Sequence, residues 1–358
     1  MKIQSVKFYN PSFTSDRRKF DVQGHIGSHY DGLWKRDAHY SAQNIIDTVE
    51  TNNVKKVLIS SISGLNPQGS VFFKSEMNAA DEMINLKGSD KVTFYPLLSC
   101  QPGISQNTDT VKELIEKNKF YGLKFHPTMT DMAIQDNFDI YSDYLALAQN
   151  KGLPCVFHSI TDGKSDPSQI IKLAEQHPKL PVVLYHVDLM AKPEQMSKTI
   201  DEISESVKNG KSNLFVDISW LTDFDGKGEE SKSAIKQLLE KVGADRILFG
   251  SDAPIGEMGD KEKYRQFTDF VENTIKEFYK DKPDEAEKSL NMIFYDNAED
   301  LFINKKWYQA VDKAKKMSVK TIGLIAAGVV IAAAVIAKIV TGKKANDTDN
   351  RLSSVKHN

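Results

Sequence analysis

FDVQGHIG, residues 20–27, is the stretch on which the fold turns. It is a short apolar run that ends in polar residues and glycine, and side chains along a strand alternate between faces. Gln23 and His25, two potential ligands, therefore leave the strand end in the same direction. Four later segments have the same build: GLKFHP (122–127), LPCVFHS (153–159), PVVLYHVD (181–188) and RILFGSDAP (246–254). Each is a few β-formers closing on His, Lys or Asp, and nothing comparable stands at the strand starts. Ligand-type residues gathered at one end of many strands describe one face of a barrel.

Strand-like runs recur at 20–25, 56–61, 92–98, 122–126, 155–158, 182–186, 214–218 and 247–250. Helix-like stretches fall between them, among others at 41–53, 109–119, 139–150, 167–177, 193–208 and 231–242. This spacing suits βα units, and near-continuous apolar strands such as PVVLY suit a parallel sheet covered on both sides. Eight units close into an α/β fold of the (β/α)8 TIM-barrel type, over 20–304. An open doubly wound sheet would carry a glycine-rich phosphate loop after its first strand, and HIGSHYDG does not match it. No phosphate-binding loop of the Walker type, no G-x-S-x-G elbow and no cysteine-rich zinc pattern is present.

The formal net charge is −2, so no broad basic field points to nucleic acid. Cys100 and Cys155 fall in or beside strand-like runs and read as buried reduced thiols. Residues 1–19 lack the apolar core of a secretory signal and read as a flexible leader. Residues 305–320 form a basic linker, and 321–340 is an apolar run broken only by Lys338. A helix of that length spans about 30 Å, the hydrocarbon thickness of a bilayer. It is expected to be a single C-terminal transmembrane helix, followed by a polar tail at 341–358, with the barrel on the cytoplasmic side. Gly323 with Ala327 and Gly328 with Ala332 give small-xxx-small spacing that can pair two such helices into a homo-oligomer.

Together FDVQGHIG, GLKFHP, LPCVFHS, VVLYHVD, NLFVDIS, RILFGSDAP and the late NAEDLF resemble the amidohydrolase superfamily, in its amidohydrolase-related branch of metal-dependent hydrolases and decarboxylases. The resemblance covers 20–302. It implies a divalent ion, zinc in expectation, on His25, His158 and Asp252. The family's first strand reads Asp-x-His-x-His; here Gln23 stands where the first metal histidine would, as a poorer ligand for zinc or as a hydrogen-bonding neighbour of the ligands. His186 matches a sixth-strand histidine that serves as ligand or general acid/base, and Asp252 the eighth-strand carboxylate that also takes a proton from bound water. Lys124 matches a fourth-strand lysine that in some branches is carboxylated and bridges two metals; it reads as a substrate-binding cation or such a ligand, or equally as a member of an ion pair. His126 reads as loop structure, His29 and His39 as lid or surface residues, and His177 as structural. Asp217 alternates with Ser219 and reads equally as a core carboxylate or a pocket residue.

The expected activity is attack of metal-activated water on a C–N or C–O bond of a small carbonyl substrate. Non-oxidative decarboxylation at the same site is the alternative, and a catalytically silent scaffold is a third reading, favoured by Gln23. The polar loops that set specificity in such a barrel carry no readable code.

Overall fold

The structure is a computed structural model that describes residues 17–31, 36–104, 108–188, 191–224 and 226–309. β1 (Lys19–Asp31) has β2 (Arg36–Tyr40) as antiparallel neighbour on one side and β3 (Val54–Ser61) in parallel on the other. β3 pairs in parallel with β4 (Thr93–Pro96). A second sheet runs β5 (Leu98–Ser99), β6 (Leu123–Phe125), β7 (Cys155–His158), β8 (Pro181–Tyr185), β9 (Asn213–Asp217) and β10 (Ile247–Leu248), every pair parallel.

Two seams join these sheets into a ring. At the first, only Leu97 separates β4 from β5; its N–H donates to Ile59 O at 2.8 Å, while Leu98 N–H donates to Gly122 O at 3.0 Å. One strand thus passes from one sheet to the other. At the second, Val22 N–H donates to Phe249 O (2.9 Å), His25 N–H to Ala253 O (2.9 Å) and Asp252 N–H to Gln23 O (3.0 Å). With β4 and β5 counted as one, eight parallel strands close on themselves as the spacing predicts, and β2 lies outside the count. Gly24 makes the first strand's tight fit possible: a Cβ there would stand 2.8 Å from Val57 Cγ1 and 3.2 Å from Leu58 O.

Helices α1 (Ala42–Val49), α2 (Glu76–Ile84), α3 (Asp109–Lys117), α4 (Pro127–Thr130), α5 (Phe138–Lys151), α6 (Pro167–Gln176), α7 (Pro193–Lys208), α8 (Gly228–Gln237), α9 (Lys261–Phe278) and α10 (Pro283–Asn291) alternate with the strands. Their ends follow local chemistry. Ser41 caps α1 in a reciprocal box with Asn44, Asp260 accepts the N–H groups of Glu262 and Lys263 at α9, and Gly152 closes α5 in the left-handed region. The inward faces are apolar: Ile170, Leu173 and Ala174 of α6 and Phe267, Val271 and Ile275 of α9 are buried. Cys100 and Cys155 are free and buried, as expected.

The compact unit that holds the barrel ends at Lys305. The end of the expected leader is held rather than loose. Arg17 pairs with Glu287 at 2.6 Å, and Lys19 opens β1 with its ammonium on Asn52 O at 2.9 Å. Among the described residues no helix is long and apolar enough to cross a membrane, and the expected span at 321–340 lies outside them.

Candidate active site

The carboxyl ends of the strands surround a cavity of about 510 Å3 lined by Gln23, His25, Lys124, His158, His186 and Asp252, all six of the residues singled out in the sequence. His29, His126 and Trp220 share the lining. Strand alternation carries Gln23 and His25 to this face, and the seam between the first and last strands delivers Asp252 beside them.

Asp252 is the hub. Its Oδ1 accepts from Gln23 Nε2 at 2.6 Å and from His25 Nε2 at 2.9 Å, and its Oδ2 from Trp220 Nε1 at 2.9 Å. Burial favours the neutral acid. The hydrogen bond and charge of His25, then the charge of His186 and the hydrogen bond of the Trp220 indole N–H, outweigh it and hold the carboxyl well below the usual carboxylate range. Ser60 Oγ lies 2.9 Å from His25 Nδ1, which leaves Nε2 as the nitrogen that donates to Asp252.

His186 is fixed by a second chain. Ser219 donates its hydroxyl to Asp217 Oδ1 at 2.8 Å, so at 2.9 Å its oxygen accepts from His186 Nδ1–H. That tautomer leaves Nε2 as an acceptor, and Gln23 Nε2 lies 3.1 Å from it. Burial pushes the His186 pKa down to about 4, so the ring is neutral at physiological pH. Asp217 also accepts the His186 backbone N–H at 2.8 Å; burial pushes its carboxyl up to about 7 against these hydrogen bonds. Gly250 makes room for it, since a Cβ there would stand 2.4 Å from Asp217 Oδ2.

Lys124 is 1% exposed, and among the described residues its Nζ has no hydrogen-bond partner. The ammonium sits 4.0 Å from the centre of the Tyr185 ring, a favourable but incomplete substitute for an acceptor. Burial lowers its pKa to about 7, with the charges of Asp252 and Asp217 opposing the fall. Gln23 Oε1 is likewise buried without a partner among the described residues. A donor and an acceptor that the protein leaves unsatisfied thus belong to the same cavity wall.

His158 stands apart from the hub. Its ring stacks on His126 at 3.8 Å and meets His186 edge-on at 4.9 Å. Burial pushes both His126 and His158 well below the usual imidazole range. His126, read as loop structure, caps α4 with Nδ1 and also lines the cavity. His39 bonds Ser28 Oγ away from the cavity, and His177 lies near Ser142. Trp220, Ser219 and Ser60 were not legible beforehand as site residues. Ser219 carried one signal, its alternation with Asp217.

The backbone is strained where these groups emerge. His186, Trp220 and Asp252 have φ of 74°, 61° and 73°, a region that costs a non-glycine residue about 1–3 kcal/mol and concentrates at functional sites.

The side chains do not fit a bound divalent ion as arranged. Asp252 already accepts three N–H groups, His25 uses both ring nitrogens in hydrogen bonds, and the lone pair of His186 faces an amide N–H. His25 and Asp252 are together, but His158 is stacked on His126. Among the described residues, no three His, Cys, Asp or Glu side chains are gathered as ligands for an ion.

A match to the amidohydrolase family spans residues 90–303. No curated protein matches the sequence. Among solved structures, similarity extends to a probable 2-pyrone-4,6-dicarboxylic acid hydrolase from Acinetobacter baumannii with citric acid bound, at 12% identity and a TM-score of 0.53, covering 79% of this chain and 98% of that one. The 5-carboxyvanillate decarboxylase of Sphingomonas paucimobilis aligns at 14% identity and 0.54, covering 80% and 98%. The 2,6-dihydroxybenzoate decarboxylase from Rhizobium aligns at 13% and 0.53, covering 80% and 98%. At such identities the likeness is one of fold.

Proposed function

This chain belongs to the amidohydrolase family, and we propose that it hydrolyses a C–N or C–O bond of a small carbonyl substrate that carries a carboxylate. The observation that carries this reading is Lys124, a buried ammonium on the cavity wall to which the described residues offer no acceptor. An unpaired buried charge is costly, and a substrate carboxylate is the partner that would relieve it.

In this reading the substrate carboxylate binds Lys124 and sets the carbonyl near Gln23 and His186. Gln23 Oε1 accepts a hydrogen bond from the attacking water. The water replaces the 3.1 Å Gln23 N–H contact at His186 Nε2 while the amide keeps its bond to Asp252; Nε2 takes the water's proton, and the imidazolium formed is stabilised through Ser219 by Asp217. His186 then returns that proton to the leaving nitrogen or oxygen. Asp252 was expected to be the base; three hydrogen bonds and its low pKa make it a weak one, and its part is to hold His25, Gln23 and Trp220 in place.

Decarboxylation is a second reading. The cavity's apolar lining by Ile62, Met129, Ile160, Met196, Leu221 and Ile255 favours it, because a carboxylate held against apolar walls gains by leaving as neutral carbon dioxide. The apolar segment 321–340 supports attachment of the chain to a membrane, with the helix spacing as the route to a homo-oligomer. Sedimentation of the full chain with membranes, lost on deletion of 318–358, is the outcome that attachment requires.

The enzymatic reading is tested by assaying the purified chain on lactones, amides and carboxylated aromatics, with carbon dioxide release measured in parallel. Turnover of a carboxylated substrate, with KM raised on the order of a hundredfold in Lys124→Met, is expected from loss of a charge-assisted contact. Binding of such compounds without any turnover would instead leave a binding barrel.

A further inference from the structure

We infer that Gln23 makes this an ion-excluding site: its amide nitrogen fills the space between Asp252 and His186 that a divalent ion would need, and substrates must bring their negative charge to Lys124 instead. The amide has two N–H bonds and meets two acceptors, Asp252 Oδ1 at 2.6 Å and His186 Nε2 at 3.1 Å. An ion bound to both would sit about 2.0–2.2 Å from each, inside the volume that nitrogen holds.

Rotating the amide does not open the place. It would turn Oε1 toward the carboxylate of Asp252 and the lone pair of His186, setting acceptor against acceptor in a buried setting. The side chain cannot easily withdraw either. Gln23 is 2% exposed, its N–H donates to Asp21 Oδ1 at 3.1 Å, and its carbonyl accepts from Asp252 N–H at 3.0 Å. Two further donors, His25 Nε2 and Trp220 Nε1, complete the coordination of Asp252 by hydrogen bonds.

The consequence is a substrate class. A neutral amide in place of a dication leaves the Lys124 ammonium as the positive charge buried within the lining. The site then selects compounds with an anionic group of their own, and its chemistry does not depend on added ions. This rests on the proposed function only in taking the cavity as the active site, because ion uptake is read on the protein itself.

The test is elemental analysis of the full chain in detergent after incubation with excess zinc or manganese and desalting, beside Gln23→His. No stoichiometric metal in the wild type, uptake in Gln23→His, and a wild-type melting temperature unmoved by ion or chelator are expected. Stoichiometric metal in the wild type that His158→Ala removes would overturn the inference. So would a failure of both proteins to bind, since Gln23 would then not be what keeps the ion out. Should Gln23→His not fold, Gln23→Glu carries the same expectation, because a carboxylate there would face Asp252 and call for a cation. Absence of turnover without metal uptake would sink the proposed activity and leave the exclusion standing.

Discussion

Lys124 and His186 divide the site's acid and base character at the residue scale. The pKa of Lys124 is lowered to about 7 by burial and that of His186 to about 4. The productive form of the free enzyme has Lys124 charged and His186 neutral. The profile of kcat/KM against pH is therefore expected to fall on the acid side near 4 and on the alkaline side near 7. In Lys124→Met the alkaline limb should vanish; its persistence would assign that limb to another group. The same residues show what sequence could and could not give. Lys124 and His186 were legible because strand ends of this fold carry the chemistry. The role of Asp252 as a hydrogen-bond hub was not, since it depends on which donors reach it. Trp220 is one of them, delivered by a left-handed backbone at φ 61° that no local pattern announces.

At the scale of the element, the ends of β8, β9 and the β10 strand line act as one device. β9 supplies Asp217, whose carboxylate holds both the backbone and, through Ser219, the ring of His186 at the end of β8. Gly250, beyond β10, is the gap into which Asp217 fits. Gly250→Ala would place a methyl 2.4 Å from Asp217 Oδ2. The expected result is a loss of about 1–3 kcal/mol in urea unfolding, the usual range for overpacking. The rate should fall in the same variant because the His186 tautomer is no longer held; a normal rate would show that Asp217 does not position the ring.

At the scale of the whole molecule, closing the ring buries ionisable groups, and stability should report it. Asp21 and Asp217 are raised by burial to about 6 and about 7 from 3.8. The folded state therefore binds more protons than the unfolded one between 3.8 and these values, and stability falls as pH rises through that window. Lys124 is lowered by burial from 10.5 to about 7, so between those values the unfolded state binds more protons and stability rises with pH. Asp252, held low, contributes stability that is lost only in strong acid. His126, His158 and His186 are lowered from 6.5 by burial and oppose that fall below neutrality, so the melting temperature is expected to change little from pH 4 to 6 and to rise from about pH 7 to 10 with Lys124. Lys124→Met should raise stability by on the order of 2 kcal/mol at pH 6, where the ammonium is charged, and by less at pH 9. A lower melting temperature at pH 6 would show that the ammonium has a stabilising partner.

The order of strands and helices, the family and the face of the barrel that carries the cavity were determined by the sequence itself. Periodicity, capping residues and strand-end composition act over a few residues, and a one-dimensional pattern records them. Which hydrogen-bond partners the matching residues meet was decided only by the tertiary structure. Gln23 lies 163 residues from His186 and 229 from Asp252, and only closure of the ring puts its amide between them. Hydrogen-bond partners, burial and the pKa values that follow from them are properties of that closure, because they depend on neighbours in space that the chain order does not encode.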